Sequence, residues 1–195
     1  MNNLKSTLGT ALFLIIIASS LSAARKTNQT INMPYDSINE RYAYTRIVEA
    51  PQLNDIQLYM LAKKWTKQKF GDDHYLIDDV NTQLADRGSF SFLYAYNKLS
   101  EPFTFNINYK LNLQFKNGKY KIEINNINLI EIKEGATVET SIENFQKEQE
   151  RVVLARKTIR RITTEVLNQI DTKLLKVISE IENSLTANNL NTENW

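Results

Sequence analysis

The sequence predicts an α+β fold, an antiparallel sheet with helices on one face and a long helix at the C-terminal end. Three observations carry this. Phe103, Phe105, Ile107, Tyr109, Leu111, Leu113 and Phe115 alternate with Thr104, Asn106, Asn108, Lys110, Asn112 and Gln114, the period of a strand with one buried and one wet face. Asn117-Gly118 follows at once, and both residue types tolerate the positive φ of a type I′ hairpin turn. From Thr140 onward there is neither Pro nor Gly, while Phe145, Val152, Ala155, Ile159, Ile162, Val166, Ile170, Leu174, Val177, Ile181 and Leu185 recur at helical spacing.

At the N-terminus, residues 1–24 read as a secretory signal peptide. Lys5 is the basic start, Leu8–Ala18 is apolar, and Ser22-Ala23-Ala24 supplies small residues for cleavage. The competing reading is a retained anchor, but the apolar run falls short of the ~20 residues a bilayer span needs. No Cys follows it, which excludes a lipoprotein anchor. The expected location is therefore exported, periplasmic or extracellular, with no stable transmembrane anchor after cleavage. Residues 25–41 are polar, contain Pro34 and lack periodicity, the pattern of a flexible tether.

Tyr42–Glu49 is rich in β-formers and reads as the first strand. Ala50-Pro51 ends it. Asn54 with Gln57 forms a capping box for a helix over 55–70. Leu58, Leu61, Ala62 and Trp65 share one face of that helix, Lys63, Lys64 and Lys67 the other, and Gly71 stops it. Residues 74–80 and 82–96 are two further strand candidates. Gly88 in the second marks a bulge or a close backbone approach. The return strand after the hairpin starts at Tyr120, and its alternation slips by one at Asn125-Asn126, as a bulge would make it.

Residues 133–139 read as a loop. Thr140 with Glu143 is a second capping box, opening a helix from Ser141 to about Leu185. At 1.5 Å per residue it would be about 65 Å long, so it either overhangs the sheet or bends near Glu148–Arg151. The organisation expected is a sheet domain over 42–134, the C-terminal helix over 135–187 and a disordered polar tail over 188–195.

Composition excludes several chemistries. The chain has no Cys and a single His, His74, so disulfides, thiol nucleophiles, Cys-ligated zinc and multi-His metal sites are ruled out. No cofactor is expected. The charges, 24 basic against 22 acidic, are too balanced to argue for nucleic acid. Asp72, Asp73, His74, Asp78 and Asp79 lie close in sequence, but their spacing is not that of a calcium loop, and acidic turn residues after Gly71 are ordinary. Glu49, Asp86, Glu101 and Glu123 are scattered with no partner evident. With no nucleophile elbow and no phosphate loop, the chain reads as a non-enzyme. Arg156, Lys157, Arg160 and Arg161 span an arc of about 140° beside the apolar helical stripe. They are the candidates for binding an anionic surface or partner, and a solvated helix flank is the plainer reading.

The order of these elements resembles a family of exported Bacteroidota proteins carrying a domain of unknown function with a TATA-binding-protein-like (TBP-like) fold. The resemblance rests on Val48-Glu49-Ala50-Pro51 closing the first strand and on a helix bearing Tyr59, Trp65 and Phe70. It continues with the strand around Gly88, the long alternating strand, Asn117-Gly118-Lys119-Tyr120-Lys121 with Asn126 beyond, and a last charged helix. It implies a β-α-β4-α order and no functional residues. The expected function is a non-catalytic envelope binding or structural module with an unknown envelope protein or anionic surface as partner, without DNA binding. A homodimer through the C-terminal helix is one expected assembly. The alternative is a hydrophobic-ligand or lipid binder with a cavity between sheet and helix. Trp65 and Tyr109 are expected as core anchors.

Overall fold

The computed structural model describes residues 30–71, 77–79, 82–95, 103–133, 136–153 and 157–186. The chain divides into two units, residues 1–30 and 31–195, and the elements below belong to the second. The signal peptide, the polar tail, Asp72, Asp73 and His74 lie outside the described residues.

The element order is β1 (Tyr35–Asp36), β2 (Arg41–Tyr42), β3 (Tyr44–Glu49), α1 (Asp55–Phe70), β4 (Ile77–Asp79), β5 (Gln83–Tyr94), β6 (Phe103–Phe115), β7 (Lys119–Lys133), β8 (Ala136–Ser141), α2 (Ile142–Val153) and α3 (Lys157–Ser184). Six strands form one antiparallel sheet in the order β3-β7-β6-β5-β4, with β8 also on β7. This is the expected α+β, TBP-like arrangement, with its long C-terminal helix.

β6 is the alternating strand. Its inward residues Ile107, Tyr109, Leu111, Leu113 and Phe115 are all buried. They meet Ile122, Ile124 and Leu129 of β7 on one side and Leu84 of β5 on the other. Leu58, Leu61, Ala62 and Trp65 of α1 and Val166, Leu167, Ile170, Leu174, Val177, Ile178 and Ile181 of α3 complete the same core. Each large apolar side chain so covered contributes about 1.5–3 kcal/mol. The Asn54–Gln57 capping box is present in both directions. The hairpin turn has positive φ at Asn117 and Gly118, and its tip is pinned by Ala50 N–H donating to Gly118 O at 2.7 Å.

Both expected irregularities occur. The β6–β7 register shifts beyond Asn108, where Asn126 and Ile127 stand opposite Tyr109 alone, and Asn126 has φ 48°. This bulge separates two halves of β7. Lys119–Ile124 pair with β3 and Asn128–Lys133 pair with β8, on the same edge. Gly88 is a close approach rather than a bulge, since the β5–β6 register runs through it unbroken. The Tyr109 ring lies over it, and a Cβ there would fall 2.1 Å from the ring.

Five expectations need correction. The tether ends by Ile31: Met33 is buried, and Tyr35–Tyr42 closes into a hairpin. Asp36 holds its turn by accepting from the backbone N–H of Ile38 and Asn39, and Tyr35 packs edge-on against Tyr42 at 5.2 Å. The first strand is interrupted at Ala43, whose N–H donates to Pro34 O. The loop at 133–139 is largely strand β8, so the C-terminal segment begins as sheet and not as helix. The helix then starts one residue late, with Ser141 Oγ, not Thr140, accepting from Asn144 N–H at 3.3 Å. The long stripe is divided into α2 and α3, which pack against each other. The expected bend region, Glu148–Arg151, lies within α2. Phe145 of α2 comes back over the sheet to Phe105, 6.4 Å away.

One buried polar contact ties α3 to the sheet. The Tyr44 hydroxyl donates to Asp171 Oδ1 at 2.6 Å, and both residues are buried. Burial first, and then the Asp171 carboxylate, hold that hydroxyl far above its ordinary pKa of 10. Ion pairs Arg46–Glu182 (2.9 Å) and Lys69–Glu180 (2.6 Å) are exposed and add at most about 1 kcal/mol each.

Two outcomes follow from this packing. Gly88→Ala should cost about 1–3 kcal/mol by overpacking against the Tyr109 ring, read as a lowered urea midpoint, with Gly88→Ala/Tyr109→Leu recovering part of the loss. Tyr44→Phe should cost about 1–3 kcal/mol by stranding a buried carboxylate. A raised folded pKa contributes stability that is whole below the unfolded value of 10 and is lost as pH rises beyond it. The wild type should therefore destabilise above pH 10 more steeply than Tyr44→Phe in a Tm–pH series.

Candidate functional site

The described helices cover one face of the sheet, and among the described residues no helix covers the other. Strand alternation decides what stands there. β6 presents Thr104, Asn106, Asn108, Lys110, Asn112 and Gln114. β5 presents Gln83, Ala85, Arg87, Ser89, Ser91 and Leu93, and β7 presents Lys119, Lys121, Glu123 and Asn125 before its bulge. The face is broad, polar and rich in amides and hydroxyls.

Register sets who meets whom. Gln83 Nε2 donates to Asn112 Oδ1 at 2.6 Å, and Ser91 Oγ to Asn106 Oδ1 at 2.7 Å. Lys119 lies 3.6 Å from Glu49. Glu123 gathers Lys121 at 3.0 Å, Arg41 at 3.6 Å and the Asn125 amide at 2.7 Å. Partial burial alone would raise the Glu123 pKa, but the Lys121 and Asn125 hydrogen bonds and the two cations outweigh it and hold it below the ordinary 4.5. At the centre, Arg87 stands directly opposite Lys110, and Lys110 opposite Asn125.

The basic arc expected on the last helix is only partly within the described residues. Arg156 lies outside them. Lys157 and Arg160 fall in the first turn of α3, with side chains outside them too. Arg161 is exposed and pairs with Glu165 at 3.5 Å, one turn along its own helix. Glu165 also accepts from the Tyr94 hydroxyl. Lys176 pairs with Glu180 at 3.9 Å, and Lys63 donates to the Tyr59 hydroxyl at 3.0 Å. Asp79 accepts from Thr82 Oγ1 at 2.6 Å, a turn contact. Among the described residues no three His, Cys, Asp or Glu side chains gather as metal ligands, and no helix is long and apolar enough to cross a membrane.

A set of apolar side chains meets beneath the helices among the described residues. Leu58, Ala62, Ile107, Leu113, Ile122, Leu167, Leu174 and Ile181 meet there with no exposure. Trp65 and Tyr109 are both buried among them, as expected of core anchors. Two clefts lie instead at the corner of the fold. One of about 230 Å³ is bounded by Val48, Ala50, Leu53, Tyr120, Glu182 and Leu185. Burial, with Glu182 adding to it, pushes the Tyr120 hydroxyl there up to about 12. The other is a shallow groove of about 900 Å³ beside Asn54–Gln57 and Asn117-Gly118.

Residues 44–129, from β3 through most of β7, match the family model described as "Domain of unknown function (DUF4468) with TBP-like fold". Over those residues the chain is similar to the DUF4468 family and shares its TBP-like fold. Two solved structures are similar to it. One is a DUF4468 family protein from Bacteroides ovatus, with TM-score 0.51 and 14% identity, covering 76% of this chain and 90% of that one. The other is a TBP-like protein from Parabacteroides distasonis, with TM-score 0.51 and 14% identity, covering 78% of this chain and 98% of that one. At this identity the likeness shows the fold alone. No curated protein matches the chain. The DUF4468 match supplies β3, α1, the meander and the hairpin corner. β8, α2 and α3, which complete the core and close one sheet edge, lie beyond it.

The Arg87–Lys110 juxtaposition was not legible in the sequence, because it exists only once β5 and β6 are paired. The signal available was the alternation of Thr104–Gln114 together with Gly88, whose place opposite Tyr109 fixes the register. For Glu123 the direction of the shift sets an outcome. A depressed folded pKa gives stability that is present above the ordinary value and lost as pH falls through the lowered one. Glu123→Gln should therefore lower Tm at neutral pH and flatten its fall below pH 4.5, measured in a thermal series from pH 7 to pH 3.

Proposed function

We propose that the chain is an exported, non-catalytic binding or structural module of the cell envelope, working through the open face of its sheet. The observation that carries this is the one-sided covering of a six-stranded sheet. The apolar stripe of α3 from Val166 to Ile181 is spent on its own sheet, while the described outward positions of β5, β6 and β7 on the opposite side are mainly polar. Binding surfaces held on strands are positioned more rigidly than those on loops. The buried acids serve the fold in this reading: Asp171 receives the Tyr44 hydroxyl and Asp86 accepts from the Arg87 backbone N–H. Nucleic acid is not the partner proposed, since Lys119, Lys121 and Arg41 are drawn onto carboxylates of the same face. Export follows from the N-terminal pattern of Lys5, Leu8–Ala18 and Ser22-Ala23-Ala24.

Two measurements in the native host test this reading. Osmotic shock or culture supernatant should yield a chain shortened near Ala24 by mass spectrometry. Sedimentation with membranes after a high-salt wash would contradict it. A photo-crosslinking residue at Asn108 should give envelope adducts, whereas the same residue at Lys173 on α3 should give few. The reverse pattern would move the working surface to the helices.

A further inference from the structure

We propose that the open sheet face binds an acidic polysaccharide, with Arg87 and Lys110 taking a carboxylate or sulfate and the flanking amides and hydroxyls taking sugar hydroxyls. This rests on the reading of that face as the working surface.

The argument begins with a cost. Arg87 and Lys110 are directly opposite in the β5–β6 ladder, where facing Cβ atoms lie about 4.5–5.5 Å apart and like charges destabilise the pair. Other cations of the face are neutralised: Lys119 has Glu49, and Lys121 and Arg41 share Glu123. Neither Arg87 nor Lys110 has a carboxylate within ion-pair distance among the described residues. Their neighbours do not relieve them. Lys110 also faces Asn125, whose amide is already given to Glu123. A positive pair held without a counterion at the middle of a rigid surface is a site for an anion. Arg supplies the planar fork that matches a carboxylate or sulfate, and Lys supplies a point charge.

The surroundings narrow the ligand. Asn112 and Asn106 have their amide oxygens occupied by Gln83 and Ser91. That leaves their NH₂ donors without a partner among the described residues. Asn108 and Ser89 stand opposite each other beside the cation pair. Such neutral donors and acceptors suit a ligand with many hydroxyls and sparse charge. A nucleic acid strand asks for cations tracking its backbone and aromatic platforms for its bases, and the described outward positions of β5, β6 and β7 carry no aromatic side chain. A protein partner asks for a buried aromatic or apolar anchor at its centre. Here the exposed apolar side chains, Leu93, Ile47 and Ile77, stand at the margins.

The test uses the full chain with four probes: polygalacturonate, dextran sulfate, neutral dextran and duplex DNA, by affinity electrophoresis and calorimetry at low and physiological salt. Wild type should bind polygalacturonate or dextran sulfate and not dextran. Arg87→Gln/Lys110→Gln should weaken that binding by about tenfold or more, the worth of a charge-assisted contact. The charge-keeping Arg87→Lys/Lys110→Arg should retain most of it, and Lys173→Gln on α3 should change nothing. The glutamine pair should be at least as stable as wild type, because a like-charge contact is removed. That separates lost binding from lost folding. The proposal is overturned if neither acidic polymer binds, if dextran binds as well, if duplex DNA binds more tightly than both, or if the glutamine pair binds as wild type does. Any of these outcomes with the Asn108 crosslinks intact removes the ligand class alone. Failure of both removes the sheet face as the working surface.

Discussion

One-sided burial of the sheet is the constraint on which the rest of the fold depends. Side chains alternate across a strand, so a register slip of one residue would carry the whole buried set into water. β6 sets the phase with Ile107, Tyr109, Leu111 and Leu113 on the covered side. Its neighbours must match it: β7 through Ile122 and Ile124, β5 through Leu84 and the void at Gly88 that admits the Tyr109 ring. The helices then have a single place to go. α1 and α3 bury their stripes on that face, and among the described residues no helix covers the polar face.

β7 is the hub where local and long-range demands meet. Its bulge at Asn126 bends the strand and splits its outer edge between β3 and β8. The opening between those two strands is closed by the β2 end of the N-terminal hairpin and by the start of α2. The Tyr42 N–H donates to Glu143 Oε1 at 2.7 Å and the Tyr42 hydroxyl to Gln146 Oε1 at 2.6 Å. The segment before β3 is thus tied into the fold through the first turns of α2. The Tyr44–Asp171 contact then fixes α3 against β3 from within a mainly apolar seam, with Arg46–Glu182 at its exposed edge.

Much of this was written locally. The β6 alternation, the Asn117-Gly118 turn, the Asn54–Gln57 cap and the slip at Asn125-Asn126 each depend on residues within a few positions of one another, and each is present. What was not legible depends on partners far away. Ala136–Ser141 is short and polar and becomes a strand only because β7 offers it an edge. Tyr35 looks like part of a polar leader until Tyr42, held by Glu143 and Gln146, stands beside it. The stripe from Phe145 to Leu185 contains no Gly or Pro to mark its turn, so nothing local announces that α2 folds back on α3. The candidate site is the same case. Arg87 and Lys110 are unremarkable in sequence and become neighbours only through the β5–β6 register.

Function in this account follows from what the core leaves over. The buried contacts described between sheet and helices direct attention to the surface, and the polar sheet face is one that the strands themselves hold rigid. Because the chain has no Cys, single cysteines introduced along Thr104–Gln114 can be labelled one by one with a soluble maleimide, on purified protein and in intact cells. The account predicts that the even-numbered positions react freely in the purified protein and are protected in cells, while the odd-numbered positions react only on unfolding. Equal labelling of the even positions in both settings, or reactivity at the odd ones in the native protein, would contradict it.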